Sequence, residues 1–363
     1  MASSKLGAHT IAEILSEPQT WKQCLAELER SRQLESLNDA IPRGIECIFV
    51  GCGSSYYVSS VAASTWALLT GERAHAMPAS EILLFPRTLP NPCQPVLISR
   101  SGFTSEVLEA ANFLEKQLQL RTIAVTCGVD TPIERASTHF IRLAAADEKS
   151  TVMTRSFTSM LLALQALAAE RAGDQQFLNS IPRLISQMTT RLDDINEKIR
   201  SLVESRSFAD YVFLGQGPFF GVAQEATLKV AEMSCSYAQS FHTLEFRHGP
   251  KAIVTPDTLV TFFLSETGLD SEVPVLEEIK NLGGTTLVVA NSANAAIRRS
   301  ADCLIELALD VPELARAAAT VIPGQFLGFH TGLAKGLNPD EPRNLTRVVV
   351  LEGENGGTHR AGT

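Results

Sequence analysis

One βα unit is written twice in this chain, about 165 residues apart in the numbering, and chemistry suited to a phosphate is present in only one copy. Ser99-Arg100-Ser101-Gly102-Phe103-Thr104-Ser105-Glu106 stands opposite Ser265-Glu266-Thr267-Gly268-Leu269-Asp270-Ser271-Glu272. Each octet follows an apolar run and precedes an amphipathic stretch, which predicts a strand end turning into a helix N-terminus. Unpaired backbone N–H groups and the positive end of the helix dipole favour an anion at such a junction, and hydroxyls add donors. The first copy offers Ser99, Ser101 and Thr104 with Arg100 beside them. The second carries Glu266 and Asp270, whose charge would repel a phosphate, so the anion site is expected in the first half.

The duplication extends beyond these turns. Ile45-Glu46-Cys47-Ile48-Phe49-Val50-Gly51-Cys52-Gly53 matches Ala209-Asp210-Tyr211-Val212-Phe213-Leu214-Gly215-Gln216-Gly217 in pattern. Thr122-Ile123-Ala124-Val125-Thr126 answers Thr286-Leu287-Val288-Val289-Ala290, and the segments 138–143 and 302–307 also correspond. Four strands per half are predicted. Short, nearly continuous apolar runs between longer helical patterns mark parallel sheets covered on both faces. The expected fold is α/β, with two doubly wound parallel-sheet domains in tandem, each a three-layer αβα sandwich. The expected division is an N-terminal helical segment over 1–38, a phosphate-binding first domain over 39–175, a helical connection over 176–206, a second domain over 207–351 and a flexible tail over 352–363.

Composition narrows the classes of partner. A chain of 363 residues has the length for two ordinary cores, and a net charge of -9 argues against nucleic acid or an anionic membrane as partner. No run approaches the roughly 18 apolar residues of a membrane span, and the start lacks an apolar signal region, so a cytoplasmic location is expected. Seven cysteines without a C-x-x-C pair suit reduced thiols and give no zinc site. No His, Cys and carboxylate cluster has ligand spacing, so neither metal nor cofactor is expected. Cys52, beside the anion loop, reads as a small apolar filler rather than a nucleophile.

Five motifs carry a resemblance: Gly51-Cys52-Gly53-Ser54-Ser55, Ser99-Arg100-Ser101-Gly102-Phe103-Thr104, Glu225-Ala226-Thr227-Leu228-Lys229-Val230-Ala231-Glu232, Glu245-Phe246-Arg247-His248-Gly249-Pro250 and Asp340-Glu341-Pro342-Arg343-Asn344-Leu345. In that order they resemble the sugar isomerase (SIS) family, specifically the tandem-SIS isomerase half of glucosamine-6-phosphate synthase and stand-alone aminosugar-phosphate deaminases. The resemblance implies that Ser54, Ser55, Ser99, Arg100, Ser101 and Thr104 surround the phosphate of a sugar 6-phosphate. Arg100 departs from the family, where Gln is common, in a direction that favours an anion.

Glu225, Lys229 and Glu232 are spaced by four and three residues and share one helix face. A solvated ladder of that kind contributes only about 0.3–0.5 kcal/mol per pair. Interconverting an aldose and a ketose requires moving a proton between adjacent carbons, which one carboxylate can do. By family position that base is Glu232, with Glu225 and Lys229 orienting it and the sugar. His248 is implied as the ring-opening residue, an imidazole being suited to proton transfer near neutrality. The family places this loop in the neighbouring subunit's site, so a homodimer with shared active sites is expected.

Two departures limit the carry-over. The synthase's N-terminal glutaminase domain has no counterpart ahead of the first strand, so glutamine hydrolysis within the chain is not expected. Where the synthase has a Schiff-base lysine stands Arg347, which stays protonated and can bind or polarise an anion but not attack a carbonyl. The expected activity is a hexosamine 6-phosphate isomerase/deaminase. A plain ketose/aldose phosphate isomerase, a deglycase of sugar-phosphate adducts and a non-catalytic sugar-phosphate sensor remain the alternatives.

Overall fold

The computed structural model describes residues 6–351, and the tail expected over 352–363 lies outside them. The chain forms two five-stranded sheets. The first holds β1 (Glu46–Gly51), β2 (Ala74–Pro78), β3 (Cys93–Ile98), β4 (Ile123–Thr126) and β5 (His139–Arg142) in the order β2-β1-β3-β4-β5. The second holds β6 (Asp210–Gly215), β7 (Tyr237–His242), β8 (Thr258–Phe263), β9 (Thr285–Ala290) and β10 (Cys303–Glu306) in the order β10-β9-β8-β6-β7. Every pairing is parallel, and the two orders are the same topology repeated.

The central strands send alternate residues into two different cores, which is why they read as unbroken apolar runs. Phe49, Val96, Ile98, Phe213 and Phe263 join one large core that spans both halves together with Trp66, Phe157 and Phe326. Their neighbours Ile48, Val50 and Leu97 face a separate outer core, as do Val212, Leu214 and Phe262 in the second half. The Arg155–Ala172 helix runs through the shared core and is buried from Ser156 to Ala169. Three N-terminal helices, Ala8–Leu15, Glu17–Ser31 and Gln33–Ala40, precede the first sheet. Trp21 of the second is fully buried and donates to Thr158 Oγ1 at 2.9 Å. Pro18 sits in that helix's first turn, where its missing N–H has no intrahelical partner to lose.

The fifth strand of each half, β2 and β7, is additional to the four read from sequence. Both are sheet edges. Ala74-His75-Ala76-Met77-Pro78 lacks β-branched residues and ends in proline, and no residue of either strand is fully buried, so neither shows the apolar run of a central strand.

At the ends of β1 and β6 the chain turns directly into two 17-residue helices, Ser54–Thr70 and Pro218–Ser234. Gly53 and Gly217 hold nearly identical left-handed φ values of 56° and 55° there. The two helices pack against each other across the boundary between the halves. A Cβ at Gly221 would lie 2.5 Å from Val61 Cγ2, so glycine permits the approach. Among the described residues no helix is long and apolar enough to cross a membrane.

Candidate active site

In an open parallel sheet of this order, the crevice between the carboxyl ends of β1 and β3 is where neighbouring connections leave toward opposite faces and where ligands bind. In the first half that crevice is a cleft of about 180 Å³. Its walls are Cys52, Gly53, Ser54 and Ser55 from the β1 turn, Arg100, Ser101 and Thr104 from the β3 loop, Thr151 and Met153 from the segment after β5, and Thr346 to Val349 near the C-terminus. Glu232 enters from the other half of the chain.

The β3 loop is shaped by its own hydroxyls. Buried Ser99 accepts from the Gly102 N–H at 3.2 Å and lies 3.3 Å from Thr104 Oγ1, while Ser101 accepts from the Phe103 N–H at 3.1 Å. The backbone N–H groups of Arg100 and Ser101 find no protein acceptor among the described residues. The second half differs. Six residues separate β3 from its helix at Ser105, but only five separate β8 from its helix at Leu269, so the octets matched in sequence are not in one structural register. There the turn is already occupied. Glu313 accepts from the N–H groups of Glu266 and Thr267 at 2.5 and 3.4 Å and from Thr267 Oγ1 at 2.6 Å. Glu272 accepts from the Ser265 N–H and hydroxyl at 3.0 and 2.9 Å. Internal carboxylates thus fill the second crevice.

Behind the first cleft, Lys229 Nζ lies 3.3 Å from Glu225, 2.6 Å from Glu232 and 3.1 Å from the Ser54 hydroxyl, which itself donates to Glu225 at 3.1 Å. Glu225 and Lys229 are fully buried, whereas the Glu232 side chain is 20% exposed and reaches the cleft. Burial pushes the Glu225 carboxyl up to about 8, with the Glu232 charge adding and Lys229 and Ser54 opposing. Burial alone would lower Lys229, but the two carboxylates outweigh it and hold the lysine above its ordinary value. One positive charge therefore faces two carboxyls.

Counted from the helix starts, the Ser54–Thr70 positions equivalent to Glu225, Lys229 and Glu232 are Val61, Thr65 and Leu68. The charged face belongs to the second copy and the open anion loop to the first, so the duplicated fold assembles one such centre rather than two.

The remaining candidates are placed differently. The Arg100 guanidinium is buried and already engaged, 3.5 Å from Glu148 and donating to the Val152 and Arg347 carbonyls at 3.3 and 2.8 Å. Arg347 lines the cleft and pairs with Asp147 at 2.5 Å. His248 is exposed, next to the short Glu245–Arg247 turn, and lines no part of its own chain's cleft. His242, the last residue of β7, is stacked on Phe220 with ring centroids 3.8 Å apart. Burial and the nearby Glu106 push the Cys52 thiol up to about 12, the behaviour of a filler rather than of a nucleophile.

Of the cleft walls, Thr151, Met153, Thr346, Val348 and Val349 are not marked by the sequence motifs, whereas Arg347 is. A signal for the first two exists in the hydroxyl-rich run Ser150-Thr151-Val152-Met153-Thr154, which begins eight residues after β5 ends. Its backbone is folded around Glu148, which accepts from the Thr154 N–H and hydroxyl, both at 2.7 Å, and from the Ser156 N–H at 3.3 Å.

Comparison with known proteins agrees with this architecture. The SIS domain family model matches residues 46–170 and 210–330. A glutamine–fructose-6-phosphate aminotransferase (isomerizing) of Methanothermobacter thermautotrophicus is 26% identical over 94% of this chain, which spans 57% of that protein's length. A Streptomyces coelicolor protein named "Putative D-galactosamine-6-phosphate deaminase" is 27% identical over 94% of both chains. The crystal structure of glucosamine-6-phosphate deaminase from Thermotoga maritima superposes with a TM-score of 0.80 at 30% identity, covering 94% of this chain and 99% of that one. With both halves matched, the chain belongs to the SIS domain family.

Proposed function

We propose that the protein is a sugar-phosphate isomerase of the deaminating kind, acting on a hexosamine 6-phosphate. The observation that carries this reading is the meeting, in one cleft, of an anion loop whose backbone donors have no acceptor among the described residues and the one carboxylate that lines the cleft among those residues, Glu232, paired with a buried lysine. The phosphate would sit against the Arg100 and Ser101 N–H groups and the hydroxyls of Ser101, Thr104, Ser54 and Ser55. In the open-chain aldehyde, Glu232 would take the proton from C2 and return it to C1, leaving an imine at C2. Water would then add to the imine and release ammonia and a ketose 6-phosphate. Two of the relatives described above are deaminases by name, one of them matching along 94% of its own length.

The test is turnover of a panel of hexosamine and hexose 6-phosphates, with ammonia and ketose measured separately. Ammonia and ketose in equal amounts from a hexosamine 6-phosphate are expected. Ketose from hexose phosphates alone would replace the reading with plain isomerisation. Thermal stabilisation without product would replace it with a sensor.

His248 would act as the ring opener of a neighbouring copy, making the working unit a homodimer. Glu232→Gln and His248→Ala proteins, each inactive alone, are then expected to recover about a quarter of wild-type activity when subunits are mixed, because half of the dimers are hybrids with one intact site. No recovery would place His248 outside the neighbour's cleft.

A further inference from the structure

Arg100 was expected to face the phosphate, yet its guanidinium joins three pieces of protein. It is 5% exposed and bonds to Glu148 and to the Val152 carbonyl of the segment after β5, and to the Arg347 carbonyl of the C-terminal stretch. Among the described residues that stretch is a strap with little else to hold it. From Arg343 to Leu351 no residue is buried, and Val349, Val350 and Leu351 are each more than half exposed. Among the described residues its other ties are the Ser105 N–H donating to the Val349 carbonyl at 3.3 Å, the Leu351 N–H donating to Ser105 Oγ at 3.0 Å, and the Arg347–Asp147 pair. An exposed ion pair contributes little, whereas a buried guanidinium donating to a carbonyl is the strongest tie of the set.

We infer that Arg100 is a positioning residue: from beneath the anion loop it holds the 343–351 strap against the cleft, and it acts on the ligand through that wall rather than by direct contact. The role rests on the phosphosugar reading of the cleft, but the docking of the strap does not. Glu148 does not depend on Arg100 alone, since Thr154 and Ser156 also donate to it. Substitution at Arg100 therefore leaves this carboxylate hydrogen-bonded. Lysine keeps a positive charge near Glu148, but its compact head cannot reproduce the planar fork that reaches Val152 and Arg347 together.

The experiment is amide hydrogen exchange on Arg100→Lys and Arg100→Gln, with kinetics on the same proteins. Protection of the Ser105 and Leu351 amides is expected to fall at least about tenfold in both variants while the β1 amides keep theirs, with KM for the phosphosugar rising by more than kcat falls. Unchanged protection at Ser105 and Leu351, or an equal loss over the whole chain in both variants, overturns the inference. A raised KM with the strap still protected overturns it too, in favour of a direct phosphate contact. If the wild type turns over nothing on the panel, the exchange data still decide whether Arg100 docks the strap, so the two failures are separable.

Discussion

Glu232→Gln is expected to lower kcat by about 10³-fold while phosphosugar affinity stays within a few-fold. The side chain reaches the cleft with 20% of its surface exposed and pairs with Lys229 at 2.6 Å. Glutamine keeps its shape and its ability to accept from Lys229, but it cannot take a proton from carbon at neutral pH. The fold should tolerate the change, because Lys229 retains the carboxyl of Glu225 and the hydroxyl of Ser54. Binding should persist because the anion loop belongs to the other half of the chain. Two measurements check this together: turnover of the best panel substrate, and exchange of the C2 hydrogen with heavy water, which reports proton abstraction even when later steps are slow. Loss of affinity with kcat intact would make Glu232 a binding or structural carboxylate. C2 exchange at the wild-type rate would place the base elsewhere.

The part of this site legible in the sequence is the part written in local pattern. The turn chemistry of 99–104, the one-faced spacing of Glu225, Lys229 and Glu232, and the repetition of the βα units are all properties of neighbouring residues. What a side chain does at a distance was not legible. Spacing alone allowed a solvated ladder on the 218–234 helix, and it is tertiary packing, including the approach of Ser54 to Lys229, that leaves Glu225 and Lys229 wholly buried. Arg100 reads as an anion ligand because it neighbours the hydroxyls, but a long side chain can turn back beneath its own loop, and Glu148, 48 residues onward, draws it there. The edge strands β2 and β7 escaped because an edge strand needs less apolar surface than a central one. That the second crevice is filled by Glu313 depends on where the chain after β10 returns, although the acidic residues of that turn already marked it as unsuited to phosphate.

Lys229→Met is expected to cost about 3–5 kcal/mol of folding stability at pH 8, the usual consequence of removing one partner from a buried ionic cluster. It leaves Glu225 and Glu232 close together with the Ser54 hydroxyl and no cation between them. The loss should depend on pH in a definite direction. Glu225 holds its proton to about 8 in the folded chain and to 4.5 at the ordinary value, so between these limits the folded state binds more protons than the unfolded state. Its contribution to stability is then most favourable below about 4.5 and is lost as pH rises through the folded value. Glu13, Glu17 and Glu272 are raised by burial in the same sense, so the wild-type profile sums several groups, and the difference between variant and wild type cancels these three. Without Lys229 the Glu225 carboxyl rises further, and the variant should lie closest to wild type at pH 5 and farthest from it at pH 8.5 in urea unfolding. Adding Glu225→Gln to Lys229→Met removes the titrating group and should abolish the part of the loss that grows with pH while changing little at pH 5. A deficit equal at both pH values, or one that Glu225→Gln does not relieve, would mean that Lys229 stabilises the fold by packing its methylenes and not by holding two carboxyls apart.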